Sequence, residues 1–301
     1  MLAIVIPYYK LTFFEATLQS LANQTDKRFK VYIGNDASPE NPTNLLEKYK
    51  GLFEFVYHRF DSNLGGISLV KQWERCVEMV GDEEWLMIMG DDDYLDENLV
   101  AFWYEKYNIF NIKSEVIRFA SKLIVEETNT VSDAYVHPVW ENATDSFYRK
   151  FQNLTRSSLS EYIFSRISYV KYGFHDYPLA WNSDDRAWLE FSNNKPIFTI
   201  NESIVFVRIS MLNISGRSDN VIEKNLSVIA FYKFIISNKL ELYNKKQRDG
   251  LMRRYENEIK NVRNLRIEEW FFLLFIYIKN FNLSKKFLKR FLNGIFKRHE
   301  S

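Results

Sequence analysis

Three adjacent aspartates, Asp91, Asp92 and Asp93, are the residues of this chain best suited to chemistry. Like charges at this spacing repel one another, so they need either a compensating cation or full hydration. Divalent ions such as Mg²⁺ and Mn²⁺ prefer oxygen ligands, commonly one or two carboxylates together with phosphate oxygens. The alternative is a solvated acidic turn that begins the next helix. The run directly follows an apolar segment, residues 85–89, and this position favours the metal site.

Two further polar clusters, one at Asp36 and one at Asn63 to Gly66, contain residue types that can bind a phosphorylated ligand. Asp36 could accept a hydrogen bond from a base or a ribose, or it could form an Asx-turn or a helix cap. Asn63, Gly65 and Gly66 form a turn before a helical pattern. Glycine lets the backbone approach a phosphate, and helix N-termini favour anions, although such a pair can also be a plain turn.

A second acidic pair, Asp184 and Asp185, precedes the helical pattern that contains Trp188. A carboxylate at such a place can act as general base towards a hydroxyl acceptor, or it can begin the helix. The sequence alone leaves both interpretations open.

Apolar segments alternate with helical patterns through the first half of the chain. The predicted strands are residues 2–8, 29–34, 53–58 and 85–89, and the predicted helices are 12–24, 45–49, 67–79 and 99–110. This alternation predicts an α/β fold with a mostly parallel central sheet flanked by helices. Ligands bind outside the carboxyl ends of strands in such sheets. Because the three polar clusters each follow a strand, we expect them to line one crevice.

The middle of the chain is less regular. Residues 116–126 read as a strand, and residues 197–208 as a strand pair broken near Asn201. Helical patterns follow from about residue 224. We therefore expect a catalytic domain over residues 1–220 and a helical extension over 221–301.

The bulk properties exclude some classes of protein. A net charge of +1 gives no basic field for nucleic acid, so we expect no nucleic-acid partner. Cys76 is the only cysteine, which excludes an internal disulfide and fits a reducing, cytoplasmic compartment. The first residues read as a strand rather than a signal peptide.

Five motifs in order resemble the family 2 glycosyltransferases of the GT-A fold. The similarity is specific over residues 1–110, moderate as far as Arg208, and fades beyond. It rests on Val5-Ile6-Pro7-Tyr8-Tyr9, Ser20-Leu21-Ala22-Asn23-Gln24-Thr25, Asn35-Asp36-Ala37-Ser38, Asn63-Leu64-Gly65-Gly66 and Asp91-Asp92-Asp93.

The resemblance implies that a nucleotide-diphosphate sugar, with UDP favoured, gives its sugar to an acceptor hydroxyl with inversion. It implies nucleotide-sugar binding by residues 1–110 and an acceptor side over 111–220. Its implied cofactor is Mn²⁺ or Mg²⁺, held by Asp92 and Asp93 against the donor diphosphate. Asp91 would lie at the ribose. Because this chain has Gly90 where the family usually has an aspartate, these roles could shift by one residue.

The same resemblance implies roles for residues outside the acidic run. Pro7 and Tyr9 would lie near the nucleoside, and Asp36 would accept from the base. Asp185 would be the catalytic base, and Arg208 would neutralise diphosphate charge. The remaining residues that would bind the donor belong to the glycine turn and the helix after it: Asn63, Gly65, Gly66 and Lys71, the last of which stands where the family usually has arginine.

The C-terminal segment is apolar over residues 270–278, which is too short to span a bilayer. A basic amphipathic pattern follows, with Phe287, Leu288 and Phe291 on one face and lysines on the other. This profile predicts a helix on an anionic membrane surface, and a helix packed on protein is the alternative. A peripheral position on the cytoplasmic membrane face would suit a lipid-linked acceptor.

The sequence therefore predicts a metal-dependent glycosyltransferase that acts on a glycan or lipid-linked acceptor in cell-surface polysaccharide synthesis. A nucleotidyltransferase would need a glycine-rich basic loop after the first strand, and residues 8–11 are not such a loop. A catalytically inactive sugar-nucleotide-binding protein or a membrane-associated scaffold is the alternative from another class.

Overall fold

The strands and helices of the first 219 residues form a mixed sheet flanked by helices. A computed structural model describes residues 1–214, 216–280 and 282–296. The chain forms two compact units, Met1–Asp219 and Asn220–Ser301. The strands of the first unit are β1 (Leu2–Tyr8), β2 (Phe29–Asn35), β3 (Glu54–Arg59), β4 (Trp85–Ile88), β5 (Tyr94–Leu95), β6 (Val116–Val125), β7 (Thr130–Val131), β8 (Trp140–Glu141), β9 (Tyr162–Ser165) and β10 (Ile197–Ile209). Its helices are α1 (Phe14–Ala22), α2 (Thr43–Tyr49), α3 (Leu69–Val77), α4 (Leu99–Phe110), α5 (Ala143–Phe151), α6 (Arg166–Tyr172) and α7 (Ser183–Phe191).

The sheet has the strand order β3-β2-β1-β4-β9-β6-β10-β5, with β7 on β6 and β8 on β10. The first four strands in this order are parallel, as the sequence predicted. The other half is mixed, because β9 runs antiparallel between β4 and β6. Strand β10 is parallel to β6 and reaches back to pair with β5, which directly follows the acidic run.

Burial on both faces explains the continuous apolar run of β1. Its side chains at Leu2, Ile4 and Ile6 lie in the main core, and Ala3 and Val5 are equally buried on the other face. A strand with partners on both edges and helices over the sheet needs no polar positions. The unbroken hydrophobic pattern therefore marks the centre of the sheet.

The segment predicted as a strand pair broken near Asn201 is the single strand β10. The pairing of β10 with β6 shifts register between Ile200 and Ile204, so the break is a bulge. The Asn201 amide holds this bulge by accepting from the His137 backbone N–H at 3.1 Å and donating to the His137 carbonyl at 2.8 Å. The sequence pattern could not show this bond between distant segments.

Three helices, α5 to α7, lie in the segment that was read as less regular. The buried face of α5 consists of Ala143, Ser146 and Phe147. Polar and charged side chains occupy most of the other positions of α5, so the sequence analysis did not predict the helix.

The second unit contains four α-helices within its described residues, and residues 297–301 of the predicted extension lie outside them. No described helix is long and apolar enough to cross a membrane. The helices are α8 (Val221–Asn238), α9 (Lys245–Val262), α10 (Ile267–Lys279) and α11 (Lys285–Phe296).

The prediction that Phe287 and Phe291 face lipid is wrong, because their rings pack against α10. Phe287 stacks on Tyr277 with ring centroids 4.0 Å apart, and Phe291 meets the edges of Trp270 and Phe271. Both phenylalanines are buried. A hydrophobic stripe on a helix does not say whether protein or lipid covers it, and here protein does.

We predict that Phe287→Ala destabilises the second unit by about 3–5 kcal/mol, because it leaves a cavity beside Tyr277. Leu292→Ala on the exposed side of α11 is the matched control and should cost under about 0.5 kcal/mol. Hydrogen exchange of peptides from α10 and α11 measures both values. Equal exchange in the two variants would show that Phe287 is not packed in this core.

Candidate active site

The acidic run lies in the turn between β4 and β5, at the carboxyl end of the parallel half of the sheet. Each of its three carboxylates has different partners. Asp91 Oδ2 accepts from the backbone N–H groups of Tyr9 and Lys10, both at 2.7 Å. Burial, followed by the charge of Asp92, raises the pKa of Asp91 to about 7. This carboxylate therefore ties the end of β1 to the acidic turn.

Asp93 is the most enclosed of the three. Its Oδ1 accepts from the backbone N–H of Arg208 in β10 at 2.8 Å, and its Oδ2 accepts from the Ser160 hydroxyl at 2.5 Å. Burial and the charge of Asp92 raise its pKa to about 7. Both oxygens thus accept hydrogen bonds within the protein.

Asp92 is the carboxylate with the fewest protein partners. Its Oδ2 accepts from the Asn213 amide at 3.2 Å. Burial raises its pKa, while Asn213 and the charge of Arg208 lower it. A Cβ at Gly90 would lie 2.7 Å from Asp92 Oδ1, so a side chain at this position would displace the Asp92 carboxylate.

Asp92 is the one carboxylate of this turn that could coordinate a divalent ion without first losing hydrogen bonds to backbone N–H groups of other segments. No group of three Asp, Glu, His or Cys side chains converges on a metal position within residues 1–214, 216–280 and 282–296. Mg²⁺ and Mn²⁺ are commonly held by one or two carboxylates plus substrate phosphates. The residues present fit an ion that arrives with a diphosphate, and Asp92 is the side chain placed to hold it.

Arg208 lies beside the acidic turn, and its guanidinium group already has partners within the protein. Its guanidinium forms an ion pair with Glu126, donates from Nε to the Asp92 carbonyl at 2.9 Å, and lies over the Phe13 ring. Its charge also lowers the pKa of Asp92. Direct contact between Arg208 and a diphosphate stays a prediction.

Asp36 and the glycine turn form one structure. Asp36 Oδ1 accepts from the Leu64 N–H at 2.7 Å, and Oδ2 accepts from the Gly65 N–H at 2.9 Å. Asp36 also forms an ion pair with Arg75, which the sequence analysis did not find. A Cβ at Gly65 would lie 2.6 Å from Asp36 Oδ2, so glycine is required there. The buried Asp36 carboxylate thus shapes the turn.

The remaining residues predicted to bind the donor lie around the same edge of the sheet or on α3. Pro7 is half-buried near the end of β1, and the Tyr9 side chain is 36% exposed. The Asn63 side chain closes the glycine turn by accepting from the Gly66 N–H at 2.6 Å. Lys71 is exposed in the first turn of α3.

The second acidic pair lies in the first turn of α7, and its two members differ. Asp185 is buried, accepting from Lys150 Nζ at 2.6 and 2.8 Å and from the Asn182 amide at 2.7 Å. Asp184 is half-buried and has no ion pair among the described residues. Burial, followed by the charge of Asp185, raises the pKa of Asp184 to about 7. Asp184, with its raised pKa and no ion-pair partner among the described residues, is therefore the better proton acceptor of the two.

Arg156 connects the two acidic groups electrostatically. It is half-buried, pairs with Glu161 and donates to the Ser121 hydroxyl at 2.9 Å. Its charge lowers the pKa of Asp93, and the charges of Asp93 and Asp184 act in turn on the guanidinium. The sequence analysis missed Arg156, Lys150 and Ser160 because none belongs to a motif. Only their long-range contacts identify them.

Part of the chain matches a known protein family. Residues 3–115 match the family model described as Glycosyl transferase family 2. A search of curated proteins finds no match. The matched segment is similar to family 2 glycosyltransferases, and the fold is of the GT-A type.

Solved structures of S. aureus TarS resemble the chain in fold. TarS 1–349 in complex with UDP-GlcNAc has a TM-score of 0.65 at 14% identity, covering 99% of this chain and 82% of that one. TarS 1–349 in complex with UDP has a TM-score of 0.55 at 13% identity, covering 93% and 89%. At these identities the likeness shows the fold.

We predict that Lys150→Met destabilises the first unit by about 3–5 kcal/mol, because it leaves the Asp185 charge buried without its partner. Adding Asp185→Asn should recover part of that loss. Denaturant unfolding of the single and double variants measures both effects. Losses that simply add in the double variant would contradict the pairing.

Proposed function

We propose that this chain transfers a sugar from a UDP-sugar to an acceptor hydroxyl with inversion, using a divalent metal ion. The observation that carries the proposal is the acidic turn, in which Asp91 and Asp93 accept hydrogen bonds from the protein and Asp92 is left for an incoming cation. The family 2 match supports the reaction, and the similar fold of a protein bound to UDP-GlcNAc supports a uridine nucleotide.

The donor lies across residues 1–110 in this proposal. Pro7 and Tyr9 contact the nucleoside, and Asp91 lies at the ribose. Asp36 acts through the glycine turn that it shapes, so Asn63, Gly65 and Gly66 present backbone towards the nucleotide. Lys71 on α3 supplies a positive charge to the donor.

Asp92 holds the metal, whereas Asp93 fixes the turn. A metal ion bound here would act as a Lewis acid on the departing diphosphate. Asp93 Oδ1 and Oδ2 already accept from Arg208 and Ser160, so it is the less favourable ligand of the two aspartates predicted from the sequence. Arg208 offsets negative charge beside Asp92 and the diphosphate.

Asp184 takes the base role that the resemblance assigned to Asp185. A general base works best when its pKa lies near the operating pH, and burial brings Asp184 to about 7. Asp185, paired with Lys150, positions the first turn of α7. In this proposal Asp184 accepts the proton and Asp185 positions the helix.

The acceptor lies on the side formed by residues 111–220. We propose a glycan or lipid-linked hydroxyl in cell-surface polysaccharide synthesis, reached from the cytoplasmic side. A binding protein without activity is the rival, and turnover separates it from the enzyme.

We predict that Asp92→Asn weakens Mn²⁺-dependent binding of UDP at least tenfold, because the metal loses its protein carboxylate. Asp82→Asn is the matched control, since Asp82 is exposed before the start of β4. Calorimetric titration of UDP and of GDP, each with Mn²⁺ and with chelator, measures the effect. Equal affinities in the two variants would remove the metal role of Asp92, and stronger binding of GDP would remove the uridine assignment.

We predict that Asp184→Asn lowers turnover by roughly 10²–10⁴-fold at unchanged donor affinity, because the proton acceptor is lost. In the unaltered enzyme the rate should rise with pH through about 7 as Asp184 loses its proton. UDP release from the most active member of a panel of UDP-sugars, with water as acceptor, is the assay. Should Asp185→Asn instead abolish turnover while leaving the fold stable, Asp185 is the base.

A further inference from the structure

One face of α10 is apolar and open to solvent. Ile267, Phe271, Phe275 and Ile278 recur at spacings of four, four and three residues, so they form one stripe along the helix. Phe271 is 54% exposed and Phe275 is 62% exposed. The core of the unit uses the other side of α10, where Trp270, Leu273 and Tyr277 are buried. Aligned exposed side chains of this size mark a surface that meets a partner.

The exposed side of α11 adjoins this stripe. The Phe271 ring touches the Phe291 ring, with centroids 5.6 Å apart, so the stripe borders α11. Leu292 and Phe296 are exposed on the outer side of α11, one turn apart. Lys285 and Lys289 lie on that same side by their helical spacing. Apolar and basic groups therefore share one surface.

Lysines surround this surface without acidic partners. Asn282 donates to the Lys245 carbonyl at 3.1 Å, which brings the start of α9 beside the connection between α10 and α11. Six lysines here are exposed: Lys245, Lys246, Lys279, Lys285, Lys286 and Lys289. None of them forms an ion pair within the described residues. The ion pairs of α9 to α11 use other cations: Arg253, Arg254, Lys260, Arg263 and Arg290.

We propose that this surface of the second unit, which we call the α10–α11 surface, binds an anionic lipid bilayer. The apolar stripe enters the boundary between headgroups and acyl chains, and the lysines contact lipid phosphates and carboxylates. Charge distinguishes this occupant from a second copy of the chain. Two such surfaces face to face would bring two sets of unpaired lysines together. The proposal does not depend on the donor site.

Flotation of the full chain with vesicles tests the proposal. The protein should float with phosphatidylcholine vesicles that contain phosphatidylserine, and should stay at the bottom with phosphatidylcholine alone. High salt should reduce the bound fraction, because the lysine contribution is screened. Equal flotation with both vesicle types, or none with either, would overturn the proposal.

Phe271→Ser with Phe275→Ser should reduce the partition coefficient at least tenfold. The matched control is Ile167→Ser with Val170→Ser on α6, where the side chains are 78% and 76% exposed. Lys285→Gln with Lys289→Gln should also weaken binding, whereas Lys48→Gln with Lys50→Gln, a pair of exposed lysines on the first unit, should not.

Two outcomes in these variants would refute the assignment. Flotation that survives both α10–α11 variants places the lipid contact elsewhere. A dimer in sedimentation that Phe271→Ser with Phe275→Ser dissociates would show that a second copy covers the surface. Circular dichroism and thermal unfolding of each variant confirm that the chain is folded, so this test is independent of the proposed function.

Discussion

Repulsion within the acidic turn is the constraint on which the rest of the site depends. Three adjacent carboxylates at a strand end, close to one another and largely out of water, cannot all keep their charge without compensation. Asp91 accepts from backbone N–H groups at the end of β1, and Asp93 accepts from β10 and Ser160. Asp92 is left with one amide contact. The same bonds that relieve repulsion join three segments of the first unit and leave Asp92 as the carboxylate available to the proposed cation.

Two half-buried cations extend this balance to the second acidic pair. Lys150 neutralises Asp185, and Arg156 acts on both Asp93 and Asp184. Removing the positive charge from either group would leave buried carboxylates without compensation, which is costly in a low-dielectric interior. The acidic turn and the first turn of α7 are thus coupled through charge, although no side chain in the described part of the first unit bridges the two acidic groups directly.

The sequence predicted the parallel half of the sheet because its strands are buried on both faces and read as unbroken apolar runs. It also predicted that Asp36, the glycine turn and the acidic run would line one crevice, since each follows a parallel strand. The structure joins Asp36 to the glycine turn, and a shared crevice with the acidic run stays a prediction. Arg156, Lys150 and Ser160 could not be found this way, because their roles come from contacts between distant segments. The α11 stripe was assigned to lipid wrongly, because periodicity identifies a buried face but not the molecule that buries it.

The position of a bound metal tests the central claim most directly. Crystals grown with UDP and Mn²⁺ would give an anomalous difference map at the manganese edge. We predict one peak within about 2.0–2.3 Å of an Asp92 carboxylate oxygen, with diphosphate oxygens completing the coordination. A peak coordinated by Asp93 with its bonds to Ser160 and Arg208 broken, or UDP bound with no metal at this turn, would contradict it.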